Sequence, residues 1–404
     1  MSYLALLRAP YVARLLVGSW IGRLPFSMAA LSIPLVLRQA GATYRFVGVA
    51  AGIFAVSAAV GAPLLGRLVD RIGQVRVLAV TAVIAGVGFI GICVAPQRPA
   101  VVLAAVFLAG VATPPLEPCV RALWPDIVPS ERLDSAYALD SGAQELIFVG
   151  GPLAVAGCTA LFSPTAVLWT QALLGVVGVL VVATAPPSRQ WRAAQRSTNW
   201  LGALRSPGLV VLLAGLIGVG TSIGTLNVLT VYYAEHHYVV GGASALLSLN
   251  AAGALFGVLA YGARRWSMPL PRRAVTFAGG LAVGYTLLIL LPSPPLMVVL
   301  MLLTGLSLAP LLTVCFTLVG DLAPPGTTTE AFAWLVTLFC IGTSVGSTIA
   351  GSVLEQSGEH WAAACGSIGA TVCLLILTAG RARLAPGASD VAQNPAVPNG
   401  ATRT

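Results

Sequence analysis

Long runs of apolar residues recur along the whole chain and are separated by short polar stretches. A helix that crosses a bilayer needs about 20 predominantly apolar residues, and the chain offers such windows repeatedly. They predict twelve spanning helices, near residues 13–36, 43–66, 76–95, 99–120, 137–160, 164–184, 209–233, 243–262, 274–291, 296–319, 330–353 and 360–380. The runs lack the alternation of period two that lipid-facing strands require, which excludes a β-barrel. The pattern predicts an all-α integral membrane protein.

Composition excludes a soluble globular protein. Apolar residues make up 57% and charged residues 9% of the chain, against about 45–50% and about 25% in soluble domains. So few charges could not cover the surface of a soluble protein of this size. The first apolar run contains a small-residue stretch typical of signal cleavage, Ser27-Met28-Ala29-Ala30. Because Arg23 interrupts this run and eleven spans follow it, we expect an uncleaved first helix.

The distribution of arginine predicts the orientation in the membrane. The chain has no lysine, and most arginines fall in segments that face the cytoplasm if the N-terminus does. The outer segments then hold only Arg38, Arg45 and Arg98. Cytoplasmic loops carry an excess of positive charge, so we expect both termini in the cytoplasm. The net charge of +9 then reflects topology, and no nucleic-acid partner is expected.

The longest polar interruption lies near the middle of the chain and predicts two six-helix halves. The predicted organisation is a first half at residues 1–185, a cytoplasmic linker at 186–206, a second half at 207–384 and a disordered tail at 385–404. An internal repeat supports this division, because Asp-Ile-Val-Pro at 126–129 reappears as Asp-Leu-Ala-Pro at 321–324. Parallel repeats of this kind occur in several families of secondary transporters.

The most informative stretch is residues 66–78, a charged turn rich in glycine between the second and third predicted spans. It resembles the signature loop of the major facilitator superfamily of transporters, with six matching positions: Gly66, Leu68, Asp70, Arg71, Gly73 and Leu78. The basic pair of that signature is displaced here to Gln74-Val75-Arg76. The resemblance implies a membrane transporter of twelve helices that works by alternating access.

The same loop predicts a conformational latch. Its candidate members are Gly66, Asp70, Arg71, Gly73, Arg76 and Arg121. The two glycines permit close approach and unusual backbone angles. Asp70 can pair with one of the three arginines or lie at the N-terminus of a neighbouring helix. The family resemblance implies that this cluster closes the cytoplasmic side. The alternative is that the arginines only enforce topology.

Further residues resemble bacterial exporters of this family, which implies the bacterial cytoplasmic membrane. Gly-Gly-Pro at 150–152 is similar to their fifth helix, and Glu-Ala-Phe-Ala-Trp at 330–334 is similar to the matching eleventh helix. Ala138 and Ile147 stand where the full antiporter signature has glycine. Residues 101–116 lack the arginine that drug–proton antiporters carry inside the fourth span. The resemblance favours export.

Ionisable residues inside spans are costly and are therefore candidates for coupling. Four qualify: Arg23, Glu117, Asp140 and Glu145. Arg23 needs a partner in the middle of the membrane, and Glu145 is the acid at comparable depth. We hypothesise a pair between these two side chains that exchanges partners with a proton or the substrate. The alternative is a permanent structural ion pair. Glu117 precedes Arg121 by four residues, a spacing that allows an ordinary ion pair on one helix.

Aromatic and neutral polar residues are candidates for lining a substrate cavity. They are Trp20, Phe26, Thr221, Thr225, Asn227, Asn250, Phe316 and Trp334. Together with an arginine they suit an amphipathic or anionic molecule. Hydroxyl side chains also bind helix carbonyls and help helices to pack closely, so a structural role competes for each.

The function predicted is secondary active transport of a small organic molecule, as export coupled to protons. Uptake or facilitated diffusion by the same fold stays open, as does a membrane sensor or scaffold without transport. The chain has no phosphate-binding loop that would indicate an ATP-driven cycle. It offers no plausible set of nucleophile, histidine and acid, so we expect no enzyme activity, no cofactor and no metal. The expected partners are the substrate and the bilayer, and we expect a monomer.

Overall fold

The computed structural model describes residues 6–192, 201–239, 242–264 and 266–385. Within these ranges, the side chains of seven residues are outside the described part: Tyr44, Arg45, Glu145, Phe148, Val149, Glu235 and Ser244. The regular structure of the described residues is entirely helical.

The helices before residue 192, called the N-terminal helices, are α1 Val12–Gln39, α2 Tyr44–Ile72, α3 Gln74–Val94, α4 Pro99–Val111, α5 Leu116–Ile127, α6 Leu133–Leu161, α7 Pro164–Ala183 and the short α8 Pro186–Gln190. The helices after residue 201, called the C-terminal helices, are α9 Pro207–His236, α10 Gly242–Ala263, α11 Leu270–Leu288, α12 Pro294–Leu322, α13 Thr328–Ser357 and α14 Glu359–Ala379.

Helices cover all twelve predicted spans, which confirms the predicted fold class. Ten of them, among the described residues, are long and apolar enough to cross a membrane. The predicted spans on α6 and α11 are helical but lie outside that group. The fourth span is interrupted between Val111 and Leu116, where Pro114 and Pro115 supply no backbone N–H. This span runs on to Ile127, beyond its predicted end at residue 120.

The predicted linker contains some regular structure. It opens with α8 and closes with a 3₁₀ turn at Gly202–Arg205. Its residues 193–200 lie outside the described part of the chain, and so do residues 386–404 of the predicted disordered tail. The division into two halves therefore stays a prediction.

Small residues allow the helices to pack closely. A Cβ atom on Gly178 of α7 would overlap the backbone of Gly22 in α1, and one on Gly346 of α13 would overlap the carbonyl of Thr221 in α9. Such contacts hold α1 against α7 and α9 against α13. Association of spanning helices depends on this close packing because lipid supplies no hydrophobic drive between helices.

One end of the bundle carries the α2–α3 turn, the start of α6, the α10–α11 connection and the start of α13, and it is called the motif end. Gly73 turns the chain there with a φ of 92°, in the left-handed region that favours glycine. Contacts between the N-terminal and C-terminal helices join α2 to α13, α5 to α13, α6 to α10 and α6 to α12.

Candidate functional site

Asp70 caps the N-terminus of α13. Its Oδ1 accepts a hydrogen bond from the backbone N–H of Thr329 at 3.1 Å, and its Oδ2 accepts one from Glu330 N–H at 2.9 Å. The α13 N-cap residue, Thr327, makes no such capping bond with its own side chain. The first N–H groups of a helix need acceptors and attract negative charge. Asp70 is 6% exposed and connects α2 to α13. Of the two kinds of partner predicted for it, an arginine or a helix N-terminus, the structure shows the helix N-terminus.

An ion pair accompanies this cap. Arg67 Nη2 lies 2.6 Å from Glu330 Oε1, and the Glu330 side chain is buried. Neither residue is among the predicted latch members. Arg67 is adjacent in the motif and Glu330 opens the eleventh predicted span, so a search for opposite charges at matching depth could have found them.

Gly66 lets the two helices approach. A Cβ atom there would lie 3.0 Å from Glu330 Cα and from Thr329 O, tighter than almost all real Cβ contacts. A Cβ atom added to Gly48 of the same helix would instead lie in open space.

The Gly66→Ala variant is expected to be less stable than Gly48→Ala by about 1–3 kcal/mol, because its new methyl group overpacks the contact with α13. Both variants gain the same helix propensity, so their difference isolates the contact. The measurement is thermal unfolding of the purified proteins in detergent. Equal shifts in both variants would contradict the close packing of Gly66.

The three arginines predicted as latch members differ from Asp70 in their surroundings. Arg71 and Arg76 are exposed at the motif end. Arg121 is buried in the interior, where it pairs with acids of α5 and α6. The structure therefore brings Gly66 and Asp70 against α13, leaves Gly73 beside Arg192, and groups Arg121 with the coupling candidates.

A second bridge at the motif end joins the two sets of helices. Arg273 Nη1 of α11 donates to Asp134 Oδ2 of α6 at 2.7 Å and lies 3.0 Å from the hydroxyl of Tyr261. Thr317 Oγ1 donates to the other oxygen of Asp134 at 3.3 Å, and Ser135 Oγ donates to the Gly262 carbonyl at 2.7 Å. None of these residues is among the predicted site residues. The internal repeat offered a signal, because α6 starts shortly after residues 126–129 just as α13 starts shortly after residues 321–324. A contact of the start of α13 with the other set of helices therefore suggests a similar contact at the start of α6.

Four ionisable side chains, called the quartet, meet in the interior: Arg23 of α1, Glu117 and Arg121 of α5, and Asp140 of α6. Arg23 Nη2 lies 2.8 Å from Glu117 Oε2, and Arg23 Nη1 lies 3.3 Å from Asp140 Oδ1. Arg121 Nε donates to Asp140 Oδ2 at 2.6 Å, and Arg121 Nη1 lies 2.5 Å from Glu117 Oε1. Each carboxylate contacts both guanidinium groups. Because two arginines face two carboxylates, the ionised quartet is electrically neutral.

The members of the quartet differ in solvent exposure, and one of them contacts the C-terminal helices. The side chains of Arg121 and Asp140 are 1% exposed, whereas that of Glu117 is 19% exposed. The guanidinium carbon of Arg121 lies 3.5 Å from the ring centroid of Phe316 in α12, a cation–π contact. Glu117 is therefore the most accessible acid, and Arg121 links the quartet to the other set of helices.

The Arg23 partners that the structure describes are Glu117 and Asp140. The Arg23 side chain of α1 thus reaches one acid on α5 and one on α6. The side chain of Glu145 is outside the described part, so a pair between Arg23 and Glu145 stays a prediction.

The predicted cavity residues with polar side chains have mixed surroundings. Asn250 Nδ2 donates to Thr304 Oγ1 at 2.9 Å, and Thr225 Oγ1 donates to the Gly346 carbonyl at 3.5 Å, so these side chains hold neighbouring helices together. Thr221 binds a carbonyl of its own helix. Asn227 is exposed.

The aromatic candidates are also divided. Phe316 is buried beneath Arg121. Trp20 and Phe26 are exposed on α1, and the Phe26 ring lies 5.8 Å from that of Phe54 in α2. The buried Nε1 of Trp334 has no hydrogen-bond acceptor among the described residues.

The chain is similar to known proteins in sequence and in fold. The family described as the Major Facilitator Superfamily matches residues 15–294. An uncharacterized MFS-type transporter, y4rN of Sinorhizobium fredii, is 25% identical over 260 residues, which are 61% of this chain and 64% of that protein. This chain therefore spans less than two thirds of that relative.

Solved structures share the fold over almost the whole chain. A bacterial homologue of the iron transporter ferroportin, in an outward-facing state, has a TM-score of 0.74 at 16% identity and covers 91% of this chain and 98% of its own. The human organic anion transporter MFSD10 (TETRAN) has a TM-score of 0.70 at 16% identity and covers 93% and 98%. The transporter FucP, in an outward conformation, has a TM-score of 0.68 at 14% identity and covers 91% and 98%. With a family match that spans well over half of its length, this multi-pass membrane protein belongs to the Major Facilitator Superfamily.

Proposed function

We propose that the protein is a secondary active transporter that moves a small organic molecule across the bacterial cytoplasmic membrane by alternating access, with export coupled to protons. The observation that carries the proposal is the neutral quartet of Arg23, Glu117, Arg121 and Asp140 inside the helix bundle. Ionisable groups at membrane depth are expensive, and a purely structural bundle could be held by apolar packing alone.

The quartet supplies a physical route for coupling. Protonation of Glu117, its most accessible acid, would remove the charge that faces Arg23 Nη2 and Arg121 Nη1. The quartet would then carry one net positive charge in a medium where unbalanced charge is costly. Because Arg121 also stacks on Phe316 of α12, this change would act on the contact between the two sets of helices.

The bridges at the motif end correspond to one state of the cycle. The excess of arginine predicts that this end faces the cytoplasm. The Asp70 cap and the Asp134–Arg273 pair would then close the cytoplasmic side, leaving the transporter outward-facing. Loading of substrate from the cytoplasm requires both bridges to open.

Export is supported by the resemblance of residues 150–152 and 330–334 to helices of bacterial exporters. Uptake is the second candidate, because Ala138 and Ile147 stand where the full antiporter signature has glycine.

Transport in liposomes with an imposed pH gradient tests the proposal. Anionic carboxyfluorescein and cationic ethidium serve as probes, with an internal pH dye reporting proton movement. The gradient is expected to drive accumulation of one probe, and Glu117→Gln is expected to abolish that accumulation because it removes the most accessible acid of the quartet. Glu131→Gln, which neutralises an exposed acid outside the bundle interior, is the matched control and should transport normally.

Three outcomes separate the alternatives. Accumulation of the probe on the side of the membrane opposite to the one that export predicts would establish uptake. Movement that ignores the gradient and survives Glu117→Gln would establish a facilitator and make the quartet structural. Loss of coupling in Glu145→Gln but not in Glu117→Gln would instead support the pair of Arg23 with Glu145.

A further inference from the structure

A groove of about 290 Å³ runs between α3 and α7 on the outside of the N-terminal helices. Its apolar walls come from both helices: Val75, Ala79 and Val83 of α3, and Val176, Leu180 and Ala183 of α7. Val83 and Leu180 are strongly exposed, as expected for side chains that face lipid. At the motif end the groove terminates at Thr184 and Arg189.

Arginines surround that end of the groove. Arg189 is exposed, and the carbonyl of the same residue accepts a bond from Arg192 at 3.2 Å. The Arg192 guanidinium lies beside Gly73, the residue from which α3 begins. Arg14 of α1 donates to Thr184 Oγ1 at 2.7 Å. The mouth therefore gathers positive charge from α1 and from the segment after α7.

Arg76 completes this rim by its register on α3. It precedes Ala79 by three residues and Val83 by seven, so it lies on the groove face one turn nearer the motif end. Its side chain is exposed. A molecule that fills the groove between Ala79 and Val83 would meet Arg76 and Arg189 where it emerges at the motif end.

No acid neutralises these arginines from the elements that form the groove. The sequence contains neither Asp nor Glu between residues 71 and 116, nor between residues 164 and 192. Elsewhere at the motif end, by contrast, Arg67 and Arg273 are each paired with an acid. An apolar channel whose basic mouth has no acid on the elements that form it is complementary to an acyl chain joined to an anionic headgroup.

We propose that this groove binds one anionic phospholipid from the leaflet at the motif end, with an acyl chain along α3 and α7 and the phosphate between Arg76 and Arg189. A zwitterionic lipid would place its own cation among the same arginines, so it fits less well. The site lies on the lipid-facing side, apart from the quartet, and it does not depend on the transported substrate.

Native mass spectrometry of the full chain in detergent tests this site, with phosphatidylglycerol or phosphatidylcholine added at equal concentration. Wild type is expected to retain one phosphatidylglycerol in preference to phosphatidylcholine. Each arginine near a membrane surface strengthens the binding of anionic lipid. The contributions of two arginines multiply in the binding constant, so Arg76→Gln/Arg189→Gln is expected to weaken retention about 30-fold. Arg272→Gln/Arg381→Gln removes the same charge from two exposed positions, one on α11 and one just after α14, and should behave as wild type.

A second variant tests the groove without altering charge. Ala79→Phe fills the apolar channel while keeping both arginines, and it is expected to weaken phosphatidylglycerol retention as well. Equal retention of both lipids by wild type would overturn the proposal, as would wild-type retention in the Arg76→Gln/Arg189→Gln protein. Unchanged retention in Ala79→Phe would overturn the acyl-chain site. Both arginines are exposed, so loss of folding is not expected, and thermal unfolding of each variant checks this.

Discussion

Replacement of Asp140 by asparagine is expected to destabilise the protein by about 3–5 kcal/mol, because it leaves buried arginines without their full countercharge. Asp140 pairs with Arg121 at 2.6 Å and with Arg23 at 3.3 Å, and its side chain is 1% exposed. The variant would leave the quartet with a net positive charge where water is scarce. Unfolding of the purified protein in detergent, followed by heat or by denaturant, measures the loss.

A double variant separates charge imbalance from other effects. Arg121→Gln/Asp140→Asn removes one charge of each sign, so the quartet stays neutral. We expect it to be more stable than Asp140→Asn alone, with a coupling energy of about 0.5–3 kcal/mol between the two positions. Coupled transport should stay absent in both variants because the network is broken. Additive losses of stability would show that the two side chains do not interact as the structure indicates.

Replacement of Asp70 by asparagine is expected to open the motif end. Asp70 accepts two hydrogen bonds from the first turn of α13, and an amide offers one oxygen where the carboxylate offers two. A hydrogen bond to a charged group contributes about 1.5–3 kcal/mol. Loss of one such bond should shift the equilibrium towards the open state at least about tenfold.

Hydrogen exchange provides the readout for this variant. The amides of Thr329 and Glu330 are held by Asp70, so their peptide should take up deuterium faster in Asp70→Asn. Asp126→Asn, at an exposed acid near the same end, is the matched control and should leave the exchange unchanged. An unaltered rate in Asp70→Asn would mean that the cap does not hold α13.

The candidate site shows where sequence reasoning succeeds and where it stops. Asp70 was identified because a charged turn between apolar runs is unusual, and the helix-terminus option was among its possible partners. Its actual partners lie 259 and 260 positions away along the chain. The distance from Arg23 to Asp140 is 117 positions, and depth alone favoured Glu145. Depth estimates follow from counting residues along a helix, whereas a side-chain pair also depends on how each helix is rotated.

The sequence by itself determined the spanning helices, because a backbone in lipid must satisfy its polar groups within each segment and about 20 apolar residues mark each crossing. It also determined the family, through a turn whose glycines and charges are local. Only the tertiary structure decided that Asp70 caps α13, that Asp134 meets Arg273, and that Arg23 and Arg121 share two carboxylates. Those partnerships depend on the rotation and close approach of helices distant in sequence, which many small packing contacts set together.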